Sequence, residues 1–411
     1  MDRRRLRTIL EASGVVVIVL LLVLVFFRHQ GARSVVPPTT TLPSATTTPG
    51  STTSTTSATA ATVPFNGRIV NVTSFGADPT GAKDSRAAIV SALASAETKP
   101  GSELYFPAGT YVLKSVTKPL ADFYVGVPIR IVGAGTGATT IIDEVGQTTG
   151  NSNPPIMFLF QGPNAPHPGG ASGSLMTGFT LNAAKYQSGT PITDYANNTL
   201  IENLQVYAPT STLSYNPNQF GVRVIAVCDH ATYQSINRTG NVVANVSIIG
   251  SGIGGNTELD LSCQVNVTAT NINIQGNGVD VDFCQHASLS NFTLVGGSNG
   301  DLQHTTWIVV GSHDVTLSNI TTNGKGGVIM PAVKSSSSGI TITHEVMKNT
   351  SGYLVIGDAS GVTIEDSQLG GVAIAPLVGL SNVSIKSTSY THTRCAAQGT
   401  VATLQGVACS G

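Results

Sequence analysis

Glu258-Leu259-Asp260-Leu261 and, further on, Val279-Asp280-Val281-Asp282-Phe283 decide how this chain folds. Both runs alternate apolar and acidic residues. Period-two alternation marks a half-buried strand, with successive side chains on opposite faces. Leu259 and Leu261 point one way, Glu258 and Asp260 the other; Val279, Val281 and Phe283 are separated from Asp280 and Asp282 in the same manner. Glu258 and Asp280 start the two acid pairs, and glycine and asparagine turns bound both runs. A short turn-bounded unit returning at that interval is the mark of a solenoid, whose units bury their apolar faces only by stacking on neighbours. Stacked strands sit about 4.8 Å apart. The spacing therefore predicts one outward cluster of four carboxylates on adjacent coils.

Working outward, the unit apolar-x-Asn-apolar-x-apolar recurs. It appears around Asn203, Asn245, Asn271, Asn291, Asn319 and Asn382, and Ile340-Thr341-Ile342 and Val362-Thr363-Ile364 repeat it without the asparagine. From Asn245 through Asn271 and Asn291 to Asn319 the intervals are unequal. Asparagine tolerates left-handed backbone angles at tight turns, so a column of stacked, mutually bonded asparagines is expected. The Asn-x-Ser/Thr triplets this creates, such as Asn245-Val246-Ser247, are by-products of the repeat.

The composition suits this reading. Of 411 residues 45 are glycine and only 10% are charged, as in a turn-rich β protein. Met1 to Arg33 hold six arginines and two acids, out of 21 basic and 22 acidic residues in all, which leaves the remainder at a net charge of −5. That mildly acidic body gives no electrostatic reason to bind nucleic acid. The five cysteines fit no metal spacing. Cys395 and Cys409 are expected to pair if the domain is exported. Cys263 and Cys284 fall on successive coils and are candidates for a second pair, with Cys228 left over.

Arg3, Arg4, Arg5 and Arg7 precede an apolar stretch that runs from Ala12 to Phe27. Residues 1–34 read as a basic cytoplasmic tip and an uncleaved signal anchor, which places the rest outside the cell membrane; cleavage and secretion is the alternative. Residues 35–64 are almost all Thr, Ser, Pro and Ala and are expected to form an extended stalk. The folded domain is expected over 65–411. It opens with Ile69-Val70-Asn71-Val72. A helix follows, capped by Asp84 or Ser85 and carrying Ala88, Ile89, Ala92, Leu93 and Ala96 at helical spacing.

Val72-Thr73-Ser74-Phe75-Gly76-Ala77-Asp78, the helix after Asp84-Ser85, and Leu104-Tyr105-Phe106-Pro107-Ala108-Gly109-Thr110-Tyr111 together resemble the opening of the rhamnogalacturonase-like proteins of the pectate-lyase superfamily. The resemblance implies an all-β fold, a right-handed parallel β-helix, with the helix capping its open end. It also implies a polysaccharide ligand. Polygalacturonase-like hydrolases of that family carry Asn-Thr-Asp, then Asp-Asp on the next coil, then Gly-His-Gly. This chain has Asn256-Thr257-Glu258-Leu259-Asp260, Val279-Asp280-Val281-Asp282 and Gly311-Ser312-His313-Asp314. The order is similar, but the adjacent acid pair and the Gly-His-Gly are missing.

Like charges so close need compensation. A bound Ca²⁺ would supply it. So would a raised pKa on one carboxyl, which leaves an acid beside a base as glycoside hydrolysis requires. Arg223, alternating in Val222-Arg223-Val224 on the preceding coil, is the third candidate. Glu258, Asp260, Asp280 and Asp282 are thus the candidate catalytic residues. Arg223, His304 and Trp307 are candidates for substrate binding, Trp307 by stacking on a sugar. His286 and His313 have no assigned role. Two functions stay open: a polysaccharide-cleaving hydrolase or lyase, and a non-catalytic adhesin or glycan-binding module.

Overall fold

The computed structural model describes residues 60–411 apart from 116–120, 145–155, 164–168, 186–189, 209–220, 226–227, 230–233, 236–237, 251–256, 297–306, 325, 333–335, 350–351, 375–380, 396–403 and 406–411. The proposed anchor and most of the stalk fall outside these residues, as do His304 and Cys409. Among the described residues no helix is long and apolar enough to cross a membrane. Nor is the end of the expected stalk detached. Ala60 is buried beside Val242 and Ala244, and the Val63 amide donates to Gly173 O at 2.7 Å. The body thus begins a few residues before the expected Phe65.

The body is an all-β parallel solenoid. Each coil crosses three faces. One face is built of short strands, among them Val222–Ile225, Leu259–Ser262, Val279–Asp282, Trp307–Val310 and Gly327–Met330, each paired in parallel with the next. The other two faces are the halves of longer strands such as Val242–Ile249, Thr268–Gln275 and Ser288–Val295, also in parallel register. Each long strand bends midway at an asparagine. Asn203, Asn245, Asn271, Asn291 and Asn319 all have φ between 52° and 58°. Asn271 Nδ2 donates to Asn245 Oδ1 at 2.9 Å, Asn291 to Asn271 at 3.0 Å and Asn319 to Asn291 at 3.2 Å. The expected asparagine column is therefore present. Asn382 is also left-handed, but it belongs to another corner. Its strand aligns with Gly361 and Gly339, which have positive φ themselves.

The interior is one continuous apolar column, from Val70 and Leu104 at one end to Val383 and Ile385 at the other. The helix Arg86–Glu97 covers the first coils with Ile89, Ala92, Leu93 and Ala96. It closes an end that would otherwise expose core and unpaired strand. Ser85 occupies the cap position, but its hydroxyl bonds to the Asp78 backbone and makes no capping bond to the helix. The carboxylate of Asp84 does that work instead, accepting from the Arg86 amide at 3.1 Å.

Cys263 and Cys284 do not pair. Cys263 is disulfide-bonded, whereas Cys284 is a free buried thiol that donates to Leu261 O at 3.1 Å. The backbone explains it: the Cys263 amide bonds to Asp282 O, so Cys263 stacks on Phe283 and is one residue out of phase with Cys284. The side chains of Cys228, Cys395 and Cys409 lie outside the described residues, and with them the expected Cys395–Cys409 bond. Cys284 is the free thiol among the described residues, and the expectation that Cys228 is left over falls outside them.

Candidate active site

The short-strand face carries the acids. Val279–Asp282 buries Val279 and Val281 and leaves Asp280 and Asp282 half-buried on the outer side. Asp260 lies directly opposite Asp280 in the ladder, and Ser262 opposite Asp282. The repeat between these coils is therefore two residues shorter than the interval obtained by matching the first acid of each run. A shift of two residues keeps every side chain on its expected face but moves it one pleat along the strand.

That shift removes Glu258 from the cluster. It falls before the strand, in the turn, where only 3% of it is exposed. Its Oε2 accepts the backbone amides of Asn277 at 2.5 Å and Gly278 at 2.7 Å. Gly276, at φ +156°, leaves room for the carboxyl: a Cβ there would sit 2.1 Å from Glu258 Oε1. Burial pushes the Glu258 carboxyl up to about 8 despite the two amides. It is a turn-closing residue rather than a member of the open acid group.

The other three acids stay together in unequal surroundings. Asp260 Oδ2 accepts from Arg223 Nε at 2.8 Å, and the Ser262 hydroxyl donates to its Oδ1. Arg223 sits opposite Asp260 on the preceding coil, where the alternation placed it, and supplies the counter-ion. Asp280 Oδ2 accepts from the Thr257 hydroxyl at 2.6 Å. Burial pushes the Asp280 carboxyl up to about 7, with Asp260 adding to the rise. Asp282 has no cation among the described residues, and its Oδ1 is buried without a partner. Burial first, then the charges of Asp280 and Asp260, hold its carboxyl well above the usual range. The site thus joins one carboxylate neutralised by a guanidinium to two carboxyls that favour the protonated form.

Ca²⁺ does not fit these residues. Both oxygens of Asp260 and one of Asp280 are already engaged within the protein, and among the described residues no group of three or more acids, histidines or cysteines is arranged to hold a metal.

Trp307 is not a sugar platform. It aligns with the core residue Val279, while Ile308 aligns with Asp280. It is 1% exposed, and its indole donates to the buried Glu345 Oε1 at 3.0 Å. The phase of Trp307-Ile308-Val309-Val310 was open in the sequence because all four residues are apolar.

Three neighbours were missed. Ser262 lies two residues after Asp260, and its hydroxyl gave no signal among so many in this chain; Thr257 stood in the Asn256–Asp260 run without a role of its own, although its hydroxyl bonds Asp280. Tyr195 interacts electrostatically with both Arg223 and Asp260; only the fold brings it there. A separate shallow cavity of about 360 Å³ opens at the asparagine corner, lined by Thr136, Gln205, Ser247 and Asn273 among others. It contains no titratable side chain.

Residues 69–258 match the family described as rhamnogalacturonase A/epimerase, pectate lyase-like. That match covers a little under half of the chain and marks its similarity to pectate-lyase-like proteins. A curated relative, alpha-1,3-galactosidase A of Peterkaempfera griseoplana, is 44% identical over 68 residues, which are 16% of this chain and 9% of that protein. The match thus spans under a tenth of the relative's length. Among solved structures, the tailspike of E. coli bacteriophage HK620, in complex with a pentasaccharide, gives a TM-score of 0.54 at 10% identity over 80% of this chain and 65% of its own. PfbA, a surface adhesin of Streptococcus pneumoniae, gives 0.53 at 13% over 80% and 89%. The Agl-KA catalytic domain gives 0.50 at 14% over 82% and 69%. At these identities the three show a shared parallel β-solenoid fold and nothing more.

Proposed function

We infer that the protein binds a polysaccharide along the short-strand face and cleaves its glycosidic bonds by carboxyl acid–base chemistry. The observation that carries this reading is the facing pair Asp260 and Asp280, set on adjacent coils in opposite electrostatic surroundings. A protonated Asp280 or Asp282 donates its proton to the departing glycosidic oxygen. Asp260, balanced by Arg223, activates water or attacks the anomeric carbon. The carboxyl separation that divides the two outcomes is about 5–5.5 Å for retention and about 6.5–9.5 Å for inversion. The superfamily match and the carbohydrate-active relative support the substrate class. The ion pair between Arg223 and Asp260 favours hydrolysis over a lyase reaction, which would need Arg223 as the base.

The second reading is a non-catalytic glycan-binding surface protein. It draws on one observation: Asp260 is 4% exposed, with its oxygens already satisfied inside the protein. We place either protein outside the cell membrane, held by residues 12–27. Incubating the full-length chain with neutral and uronic polysaccharides, with and without chelator, separates the readings. Hydrolysis gives new reducing ends, lyase chemistry gives unsaturated ends, and the adhesin gives neither.

A further inference from the structure

We propose that the glycan on this face is neutral and bears methyl groups, as 6-deoxyhexoses and N-acetylated sugars do, rather than being a polyuronate. This rests on the glycan reading above and adds the chemistry of the ligand. Followed coil by coil, the outward position of Asp280 becomes Ile308, then Val328, then Val355. The neighbouring position of Asp282 becomes Val310 and then Met330. The surface therefore passes from carboxyl to hydrocarbon in one coil, a step of about 4.8 Å. All five apolar residues are half-buried, so they line the face without being sealed under it. A solvent-facing sheet of a solenoid needs no apolar side chains at these positions, and elsewhere Ser, Thr and Asn fill them.

Charge points to the same ligand. Among the described outward side chains from Arg223 to Ala373 on this face, Arg223 is the cation, and Asp260 engages it at 2.8 Å. A polyuronate would set a carboxylate against hydrocarbon on one side and against the carboxyls of Asp280 and Asp282 on the other, where ionisation of either adds a like charge and where no cation other than Arg223 stands among the described outward side chains. A methyl group loses nothing on Ile308 or Val328 and leaves water favourably. A few polar groups beside an apolar wall is the usual make-up of a site that orients an uncharged ligand.

The test is calorimetric titration of the full-length chain carrying Asp280→Asn, so that no probe is consumed. The probes are a rhamnose oligosaccharide, an N-acetylglucosamine oligosaccharide, a galactose oligosaccharide and an oligogalacturonate. One of the two methyl-bearing probes is expected to bind at least about tenfold more tightly than the last two, a difference of about 1.4 kcal/mol. Which one it is identifies the source of the methyl group. Adding Ile308→Asp is expected to abolish the margin; Val328→Asp serves the same purpose if that variant does not fold. Tightest binding of the oligogalacturonate, parity between methyl-bearing and galactose probes, or a margin that survives a folded Asp substitution overturns the proposal and leaves the glycan reading standing. Binding of none of the four overturns both. Binding with the expected preference in a chain that cleaves nothing upholds the proposal and removes the enzyme.

Discussion

At the scale of single residues, the alternation at Glu258–Leu261 and Val279–Asp282 showed which side chains face out, but not how far along the strand each one lies. Face follows from the two-residue period, whereas position follows from turn geometry, which depends on where the chain bends. Asp260, Asp280 and Arg223 were therefore placed correctly by sequence, while Glu258 slipped into a turn. Asp280→Asn or Asp282→Asn is expected to leave the circular dichroism spectrum unchanged, since both side chains lie on the outer face. Two further residue-scale expectations concern buried groups. Burial pushes the Glu345 carboxyl up to about 7, against the favourable bond from Trp307, and its Oε2 has no partner. Its ionisation above neutral pH therefore costs stability. Glu345→Gln keeps an acceptor for the indole and removes the charge; at pH 8 it is expected to stabilise the protein, on the order of 1–3 kcal/mol, in thermal melts. Gly327→Ala would place a Cβ 1.9 Å from Trp307 Cζ2, and a loss of about 1–3 kcal/mol is expected from the overpacking.

At the scale of elements, the asparagine column was legible because one backbone requirement recurs and few residue types meet it. The intervals between Asn245, Asn271, Asn291 and Asn319 are unequal, yet they are the ladder register, since loops absorb the difference between coils. Trp307–Val310 was not legible, because an all-apolar run carries no phase. Asn271→Ala is expected to lower the melting temperature through about 1–3 kcal/mol: a left-handed alanine is strained, and two exposed side-chain bonds are lost. Asn271→Gly keeps the angle and should lose less. Equal losses for the two would show that the bonds between asparagines, and not the bend, do the stabilising.

At the scale of the whole molecule, the resemblance of the opening residues and the match over residues 69–258 agree on one fold, and the capping helix lies where an open solenoid end needs it. The working face was readable only in part, since its outline depends on loops that bring Tyr195 to Arg223. The molecule also keeps several carboxyls in surroundings that favour the proton. Burial raises Asp194 and Glu345 to about 7 and Glu258 to about 8. The folded state therefore binds these protons more tightly than the unfolded chain. Stability is fully present below the unfolded carboxylate range, falls as pH climbs through about 7 to 8, and is flat beyond. Thermal melts at constant ionic strength should show a higher melting temperature at pH 5 than at pH 8; the reverse order would mean that these acids are solvated.

The most direct measurement takes a polysaccharide that the full-length protein degrades and compares the release of reducing ends by the wild type and by Asp280→Asn. A loss on the order of 10²–10⁴-fold in a variant with an unchanged fold is expected of a group that transfers a proton in the reaction. Equal rates for the two proteins, or no release from any polysaccharide by the wild type, would contradict a catalytic role for the facing acids.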